Sequence, residues 1–373
     1  MKNKTLWIVL GVVVVVGVVV WAIAYSRPSS SPVTSSSGKI IKIGVILPET
    51  GSLSVTGQKI YNGVLLAAAQ MPSNVQFIYE DDHSDVTTGV TAANKLLSVD
   101  NVDMIIGTYD PDETIAIAPI AQAQGKEVFS FSFCDDRFIT LANVFCGYPN
   151  AAKQLATAIP LIQKQNLKKI ALVDSNSSFG IDSKNAMNAM ASQLGYQVVL
   201  DDFLPTSPTR DYQTEALKVM QSKADTIFTA TDDPADALTL VKDLYNLGFK
   251  GTRITFVDTD DTFLAQFDPS ANGTFAPGIA PSDFSQVFTA AYQSKYNTAP
   301  DYTAALGYDF IRSIVGALQA NDWSLTGVAS SVIAYQYPNP AISGFQFLPD
   351  RTVNYTMELW EAQNGHYAKA VGY

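Results

Sequence analysis

The stretch IKIGVILPETGSLSVTGQKIYNGVLLAAAQ, residues 41–70, constrains the fold more than any other part of the chain. Ile41, Ile43, Val45 and Leu47 alternate into a Pro-Glu-Thr-Gly turn, and Ile60, Val64, Leu65 and Ala68 then recur at helical spacing. Alternation marks a strand, and the change to a 3.6-residue period marks a helix. Strand, polar loop and helix in that order open a parallel α/β sheet. Such sheets bind ligands beyond the carboxyl ends of their strands. The small polar loop Thr50, Gly51, Ser52, Ser54, Thr56 and Gly57 is therefore a candidate binding segment.

The same unit recurs. Strands are expected at 75–82, 103–108 and 127–133, with helices over 87–99 and 114–124. A second series starts near residue 150, with helices at 151–165, 181–194, 211–222 and 235–247 and strands at 169–174, 197–203, 225–230 and 253–257. Beyond residue 258 the regularity drops, leaving helices at 282–296 and 302–320, strands at 344–347 and 355–362, and a hairpin signal at Asn364-Gly365. Two series of like build predict an α/β protein of two doubly wound parallel-sheet lobes with a cleft between them. A length of 373 residues suits two lobes of about 150 each. The late elements must pack on lobes already built, so the chain is expected to cross between them several times.

Residues 6–25, LWIVLGVVVVVGVVVWAIAY, carry no charge and follow Lys2 and Lys4. Twenty helical residues span a hydrocarbon core, and Trp7, Trp21 and Tyr25 suit its two interfaces. The lysines place the amino terminus in the cytoplasm and the remainder outside. A cleaved signal peptide is the competing reading, because Ala22-Ile23-Ala24 resembles a cleavage site. An uncleaved anchor over 1–26 is favoured, since the apolar run exceeds a signal core. A Ser/Pro linker at 27–39 follows.

Composition excludes several functions. With 24 basic against 35 acidic residues and a net charge of -11, the chain lacks the cations that neutralise phosphates, so nucleic acid is not an expected partner. The only histidines, His83 and His366, do not make a catalytic triad or a zinc site. No Gly-x-Ser-x-Gly elbow or phosphate loop appears, and no cofactor or metal is expected. Asp258-Thr259-Asp260-Asp261 lacks the glycine and closing Glu of a calcium loop. Cys134 and Cys146, the only cysteines, are expected to form a disulfide in an oxidising space, with a reactive thiol as the alternative.

Acid clusters at 80–82, 110–113, 135–136, 232–233 and 258–261 all follow expected strands, which suggests a negative cleft. Helix capping and solvated loops account for about half of such clusters without any ligand. Tyr61, Tyr109, Phe133 and Phe179 are aromatics able to cover an apolar or cationic ligand, or to serve as core.

The opening stretch, YEDDHSDVTTGVTAANKLL with VDMIIG after it, APIAQAQGKEVFSFS, KKIALVDSNSSFG, SQLGYQVV, TRDYQTEALKVM, TAALGYDFIRSIVGAL and SGFQFLPD resemble, in order and spacing, the type I periplasmic binding proteins. The nearest branch is that of the Leu/Ile/Val-binding proteins of ABC amino-acid importers, and the similarity covers about residues 40–373. The resemblance implies two lobes joined by a multi-strand hinge of three crossovers, closing on a small molecule without chemistry. It divides the chain into 40–147 plus about 279–335, and 148–278 plus about 336–373. It implies ABC permease subunits as partners at the extracytoplasmic face of the membrane.

Carried over position by position, the implied ligand contacts are Ser52 to Thr56, Asp110-Pro111, Phe133-Cys134-Asp135, Phe179 and Thr231-Asp232-Asp233, with Tyr109 and Asp112 beside them. Asp258, with Asp260 as rival, best matches the acid that holds a ligand ammonium. Where the family offers hydroxyls to a ligand carboxylate, this chain has Asp110, Asp112 and Cys134. A carboxylate buried beside those acids costs several kcal/mol unless a cation such as Arg137 or the ligand itself intervenes. The expected ligand thus moves from a branched-chain amino acid towards an amine, a polyamine or another cation. The expected function is solute capture for an importer, with a ligand-sensing ectodomain as alternative; a hydrolase lacks a nucleophile and base.

Overall fold

Successive side chains of a strand face opposite sides of a sheet, and in this protein both sides carry apolar residues. The computed structural model describes residues 39–207, 209–256, 264–279, 284–355 and 357–373. The expected membrane anchor and most of the linker lie outside the described residues, among which no helix is long and apolar enough to cross a membrane.

The first sheet contains β1 (Ile41–Leu47), β2 (Val75–Asp81), β3 (Met104–Gly107), β4 (Val128–Phe133) and β5 (Val144–Tyr148). Their order is β2-β1-β3-β4-β5 and every pair is parallel. Helices α1 (Ser54–Ala68), α2 (Val86–Ser98) and α3 (Pro111–Gln122) connect the first four strands. Ile41, Ile43, Val45 and Leu47 enter one apolar layer, while Ile46 and Ile105 enter the other with Leu96 and Ile117. Burial on both faces is what a parallel sheet requires.

The chain then leaves for a second body. Helices α4 (Ala151–Leu155) and α5 (Ile159–Lys164) precede β6 (Lys169–Asp174), α6 (Ser178–Leu194) and β7 (Gln197–Phe203). After them come α7 (Gln213–Ser222), β8 (Thr226–Ala230), α8 (Pro234–Asn246), β9 (Thr252–Phe256) and β10 (Thr274–Gly278). It returns to the first body with α9 (Gln286–Tyr296), α10 (Tyr302–Ala320), α11 (Val328–Ala334), β11 (Gln346–Phe347) and β12 (Val353–Asn354). A last pass adds β13 (Glu358–Gln363) and β14 (His366–Lys369), antiparallel, to give the order β14-β13-β10-β9-β8-β6-β7. The chain thus passes between the sheets three times, after β5, β10 and β12.

The local chemistry explains where elements differ from the sequence expectation. The helix expected at 151–165 is interrupted by a 3₁₀ turn, Ala156–Ala158, ahead of Pro160, which has no N–H to continue the ladder. The helix expected from residue 114 begins at Pro111 with Asp110 as cap, because proline's missing N–H costs nothing in a first turn. The helices expected from 181 and 235 begin at Ser178 and Pro234 for similar capping reasons, with Ser177 and Asp233 as caps. Strands β5 and β10, five residues each and wholly or nearly buried, carry no alternation to announce them. The hairpin turn is where its residues demand it: Asn364 and Gly365 both have positive φ, 53° and 77°. Phe345, Phe347, Val353 and Tyr355, in the stretch assigned from sequence to the second lobe, pack into the first sheet's cluster. Phe347 stacks edge-on against Phe129, Phe145 and Phe310 at 5.7, 5.5 and 5.0 Å, which draws that stretch onto the first sheet.

Strand order decides where a ligand can sit. The direction of winding reverses between β1 and β3 in the first sheet and between β6 and β8 in the second. A crevice opens at the carboxyl ends of strands wherever this happens.

Candidate functional site

The loops after β1, β3, β6 and β8 line one cavity of about 400 Å³. That is within the usual range for small-molecule sites.

The loop after β1 is pinned from below. Asp81 accepts from the backbone N–H groups of Glu49 and His83 at 3.0 and 2.9 Å and from the Thr50 hydroxyl at 2.8 Å. Gly51 has φ +90°, and a Cβ there would meet the His83 carbonyl at 2.3 Å, so only glycine lets the loop dip this way. The loop brings Ser52 and Leu53 to the cavity, while Thr56 faces a wider trough alongside. Asp82 and Glu113, both buried, hydrogen-bond each other behind the site. Burial pushes both carboxyls up; the Asp81 charge adds to the rise at Asp82 and the Asp82 charge to that at Glu113, while the contact with Glu113 lowers Asp82. The 80–82 cluster is therefore structural support.

After β3, Asp110 caps α3 by accepting from the Asp112 N–H at 2.7 Å. Burial raises its carboxyl pKa, and the neighbouring Asp112 charge adds to the rise. Tyr109, Asp110, Pro111 and Asp112 all reach the cavity wall. Beneath them a buried hydroxyl chain ties β3 to β4, with Thr114 Oγ1 lying 2.7 Å from Thr108 Oγ1 and 2.8 Å from Ser130 Oγ.

Of Phe133, Cys134 and Asp135 at the end of β4, only Phe133 lines the cavity, with Phe131 of the same strand. Cys134 is bonded to Cys146, with their Cα atoms 5.3 Å apart, and is directed into the core rather than the cleft. Asp135, whose side chain is 1% exposed, is clamped by Arg137 through Nε at 2.9 and 3.0 Å and through Nη2. Neither residue touches the cavity, because one is spent on a covalent bond and the other on an ion pair.

The second sheet contributes the opposite wall. Ser177 caps α6 by accepting from the Gly180 N–H at 3.2 Å, and Ser175 Oγ lies 2.7 Å from Ser177 Oγ. Asp233 caps α8 by accepting from the Ala235 N–H at 2.9 Å and pairs with Arg210, which also donates to Asp236 at 3.0 Å. Asp232 stands before that cap and accepts from Ser175 Oγ at 3.3 Å. Crowding by protein raises the Asp232 carboxyl and the Asp110 charge raises it further, although the residue stays open to cleft water, which tempers the effect.

Three contacts span the cleft. Arg137 Nη2 donates to Asp112 Oδ1 at 2.7 Å and to Ser178 Oγ on the far wall, and Ser178 Oγ itself donates to Asp112 Oδ1 at 2.7 Å. The Phe133 and Phe179 rings meet edge-on with centroids 5.1 Å apart.

Of the residues expected from sequence, Ser52, Tyr109, Asp110, Asp112, Phe179, Asp232 and Asp233 line the cavity. Thr56 lines the trough, Cys134 and Asp135 lie behind the wall, and Asp258 and Asp260 fall outside the described residues. Tyr61 packs edge-on against Tyr79 at 5.3 Å instead of covering the site. Sequence reasoning missed Tyr148, Gln154, Ser175, Ser177, Tyr302 and Thr303. The two serines stand in a loop correctly placed after a strand and were readable as a cap; Tyr148 and Gln154 flank the first crossover, which carries no motif, and Tyr302 and Thr303 open α10, which reaches the cavity through packing.

The chain is similar to known proteins along most of its length. A family model described as "Periplasmic binding protein" matches residues 40–366. A "Leu/Ile/Val-binding protein homolog 7" of Brucella suis biovar 1 (strain 1330) is 22% identical over 346 residues, covering 82% of this chain and 85% of that protein. Among solved structures, a leucine binding protein, LivK, from Thermotoga maritima MSB8 superposes with a TM-score of 0.78 at 20% identity, covering 89% of this chain and 98% of that one. A solute binding protein of an ABC transporter from Rhodopseudomonas palustris HaA2, in complex with p-hydroxybenzoic acid, gives a TM-score of 0.79 at 20% identity over 88% and 95% of the two chains.

Proposed function

Since this chain belongs to the periplasmic binding protein family, in the type I branch of the Leu/Ile/Val-binding proteins, we propose that it is an extracytoplasmic receptor that captures a small amine or amino acid and delivers it to an ABC permease. It binds and releases; it does not transform. One observation carries the reading: a single cavity is walled by strand-tip loops of both sheets, with Phe133 and Phe179 in contact across it. A solute that touches both walls favours the closed arrangement over the open one by its differential affinity for the two. The apolar run at 6–25 would hold the receptor at the membrane surface, with the linker as its leash.

The aromatic and hydroxyl lining supports the ligand size and type. Phe131, Tyr148, Tyr302 and Leu306 give the cavity apolar surface, and serines and aspartates give it polar groups. For an amino-acid ligand, Asp258, with Asp260 as rival, retains its proposed role towards the ammonium group on the resemblance alone.

A thermal-shift screen of amino acids, amines, polyamines and aromatic carboxylates tests the reading. A ligand present at about a hundred times its Kd stabilises the native state by about 2.7 kcal/mol. A hit should also reduce the radius of gyration in solution scattering. If no compound raises the Tm, and native mass spectrometry of the purified protein shows only the bare chain, the solute-receptor reading fails.

A further inference from the structure

The charge ledger of the cavity has an uneven remainder. Among the described residues five aspartates line it, Asp110, Asp112, Asp232, Asp233 and Asp236, and no lysine or arginine does. Two arginines stand just outside, and both are committed. Arg137 is held between Asp112 and Asp135, and Arg210 between Asp233 and Asp236. Two guanidinium charges against four carboxylates neutralise Asp112, Asp233 and Asp236 only in part. Asp110 on one wall and Asp232 on the other remain, close enough that the Asp110 charge acts on Asp232.

Three of the helix N-termini at the cavity are also taken, while that of α1, behind Leu53, has no side-chain cap. The N-terminus of α3 is filled by its own Asp110, that of α6 by Ser177 and that of α8 by Asp233. The dipoles of α3 and α8 account for the two acidic caps. They leave Asp232, one position ahead of its cap, with serine hydroxyls around it. Lys242 lines the outer trough, which Arg210, Asp232 and Asp233 also border, and does not line the cavity.

Resting on the solute-receptor reading, we infer that the ligand of this cleft is a primary or secondary amine with an apolar, preferably aromatic, body and no carboxylate. Its ammonium sits between Asp110 and Asp232 and relieves their repulsion, so closing the lobes and binding the cation are one event. Its body lies on Phe131, Tyr148, Tyr302 and Leu306. An α-amino acid with the same tail brings a carboxylate into the same space as Asp110 and Asp232, where both arginines are committed to other carboxylates. An ammonium near aromatic rings gains further from their negative faces.

The test compares matched pairs on the full-length chain: 3-methylbutylamine with leucine, 2-phenylethylamine with phenylalanine, tyramine with tyrosine and tryptamine with tryptophan. Thermal shift ranks the pairs and calorimetry measures Kd. In at least one pair the amine is expected to bind tenfold or more tightly than its amino acid. Asp232→Asn, which keeps size and hydrogen bonding, is expected to weaken that amine at least tenfold; Asp110→Asn preserves the α3 cap and serves as the second variant. The inference is overturned if in every pair the amino acid equals or exceeds the amine, including the case in which neither member shifts the Tm. It is also overturned if both Asn variants bind the amine as the parent does. Binding of leucine or 4-hydroxybenzoate in place of any amine would refute this ligand class while leaving the solute-receptor reading intact; silence of the whole screen together with a bare native mass would refute both.

Discussion

Replacing Arg137 with Ala removes a cation that serves two carboxylates and one interlobe hydroxyl at once. The Asp135 side chain is 1% exposed, and the guanidinium is its counter-ion. After the change Asp135 keeps one bond, from the backbone N–H of residue 137 at 2.8 Å. Breaking a buried pair by removing one partner costs about 3–5 kcal/mol. Because the Arg137 side chain is 49% exposed, water can enter the vacated space, and the lower end applies, about 3 kcal/mol. The Asp112 partner is 51% exposed and adds under about 1 kcal/mol. For a chain of this length each kcal/mol moves the Tm by roughly 2 °C, so a fall of about 6–8 °C is expected. Calorimetry on a double-mutant cycle checks the cause. Asp135→Asn with Arg137→Ala should be more stable than Arg137→Ala alone, since the orphaned charge is gone. A single variant that loses less than about 1 kcal/mol, or a double that is additive, would refute the claim that Arg137 neutralises this wall.

Two further outcomes follow from buried groups. Asp309 is fully buried in α10, accepts from the Ala341 and Ile342 N–H groups at 2.6 and 2.8 Å, and is pushed by burial up to about 8. Its folded value lies above its ordinary 3.8, so the native state binds more protons between the two, and this contribution to stability is present at low pH and lost as pH rises through about 8. Asp309→Asn should flatten the Tm between pH 5 and 9; parallel curves for parent and variant would contradict this. The Cys134–Cys146 bridge closes a loop of sequence separation 12, worth about 3 kcal/mol in the chain-entropy model. Reduction should lower the Tm by several degrees, and an unchanged Tm with both thiols titratable would show that the bridge contributes nothing.

Much of this architecture is legible in the chain itself, since its cues act over a few residues. The alternation from Ile41 to Leu47, proline after aspartate at 110–111 and 233–234, and the Asn364-Gly365 pair each specify a local geometry. Strands β5 and β10 escape that reading because total burial erases the alternation that reveals a strand. Site residues on winding loops, such as Ser52, Tyr109 and Phe179, follow from the rule that strand tips face the cleft. Tyr148 and Gln154 do not, because they flank a crossover, and Tyr302 does not, because it opens α10, a helix brought to the site by packing against α1.

What the sequence by itself determined was a run of acids after strands and hence a negative surface around a cleft. Which of those acids stay uncompensated was decided by tertiary structure alone. Arg137 reaches Asp112 across 25 positions and Arg210 reaches Asp233 across 23, pairings that depend on how separate loops meet in space. Coulomb energy falls with distance through space and takes no account of position along the chain, so a list of charges cannot say which of them cancel.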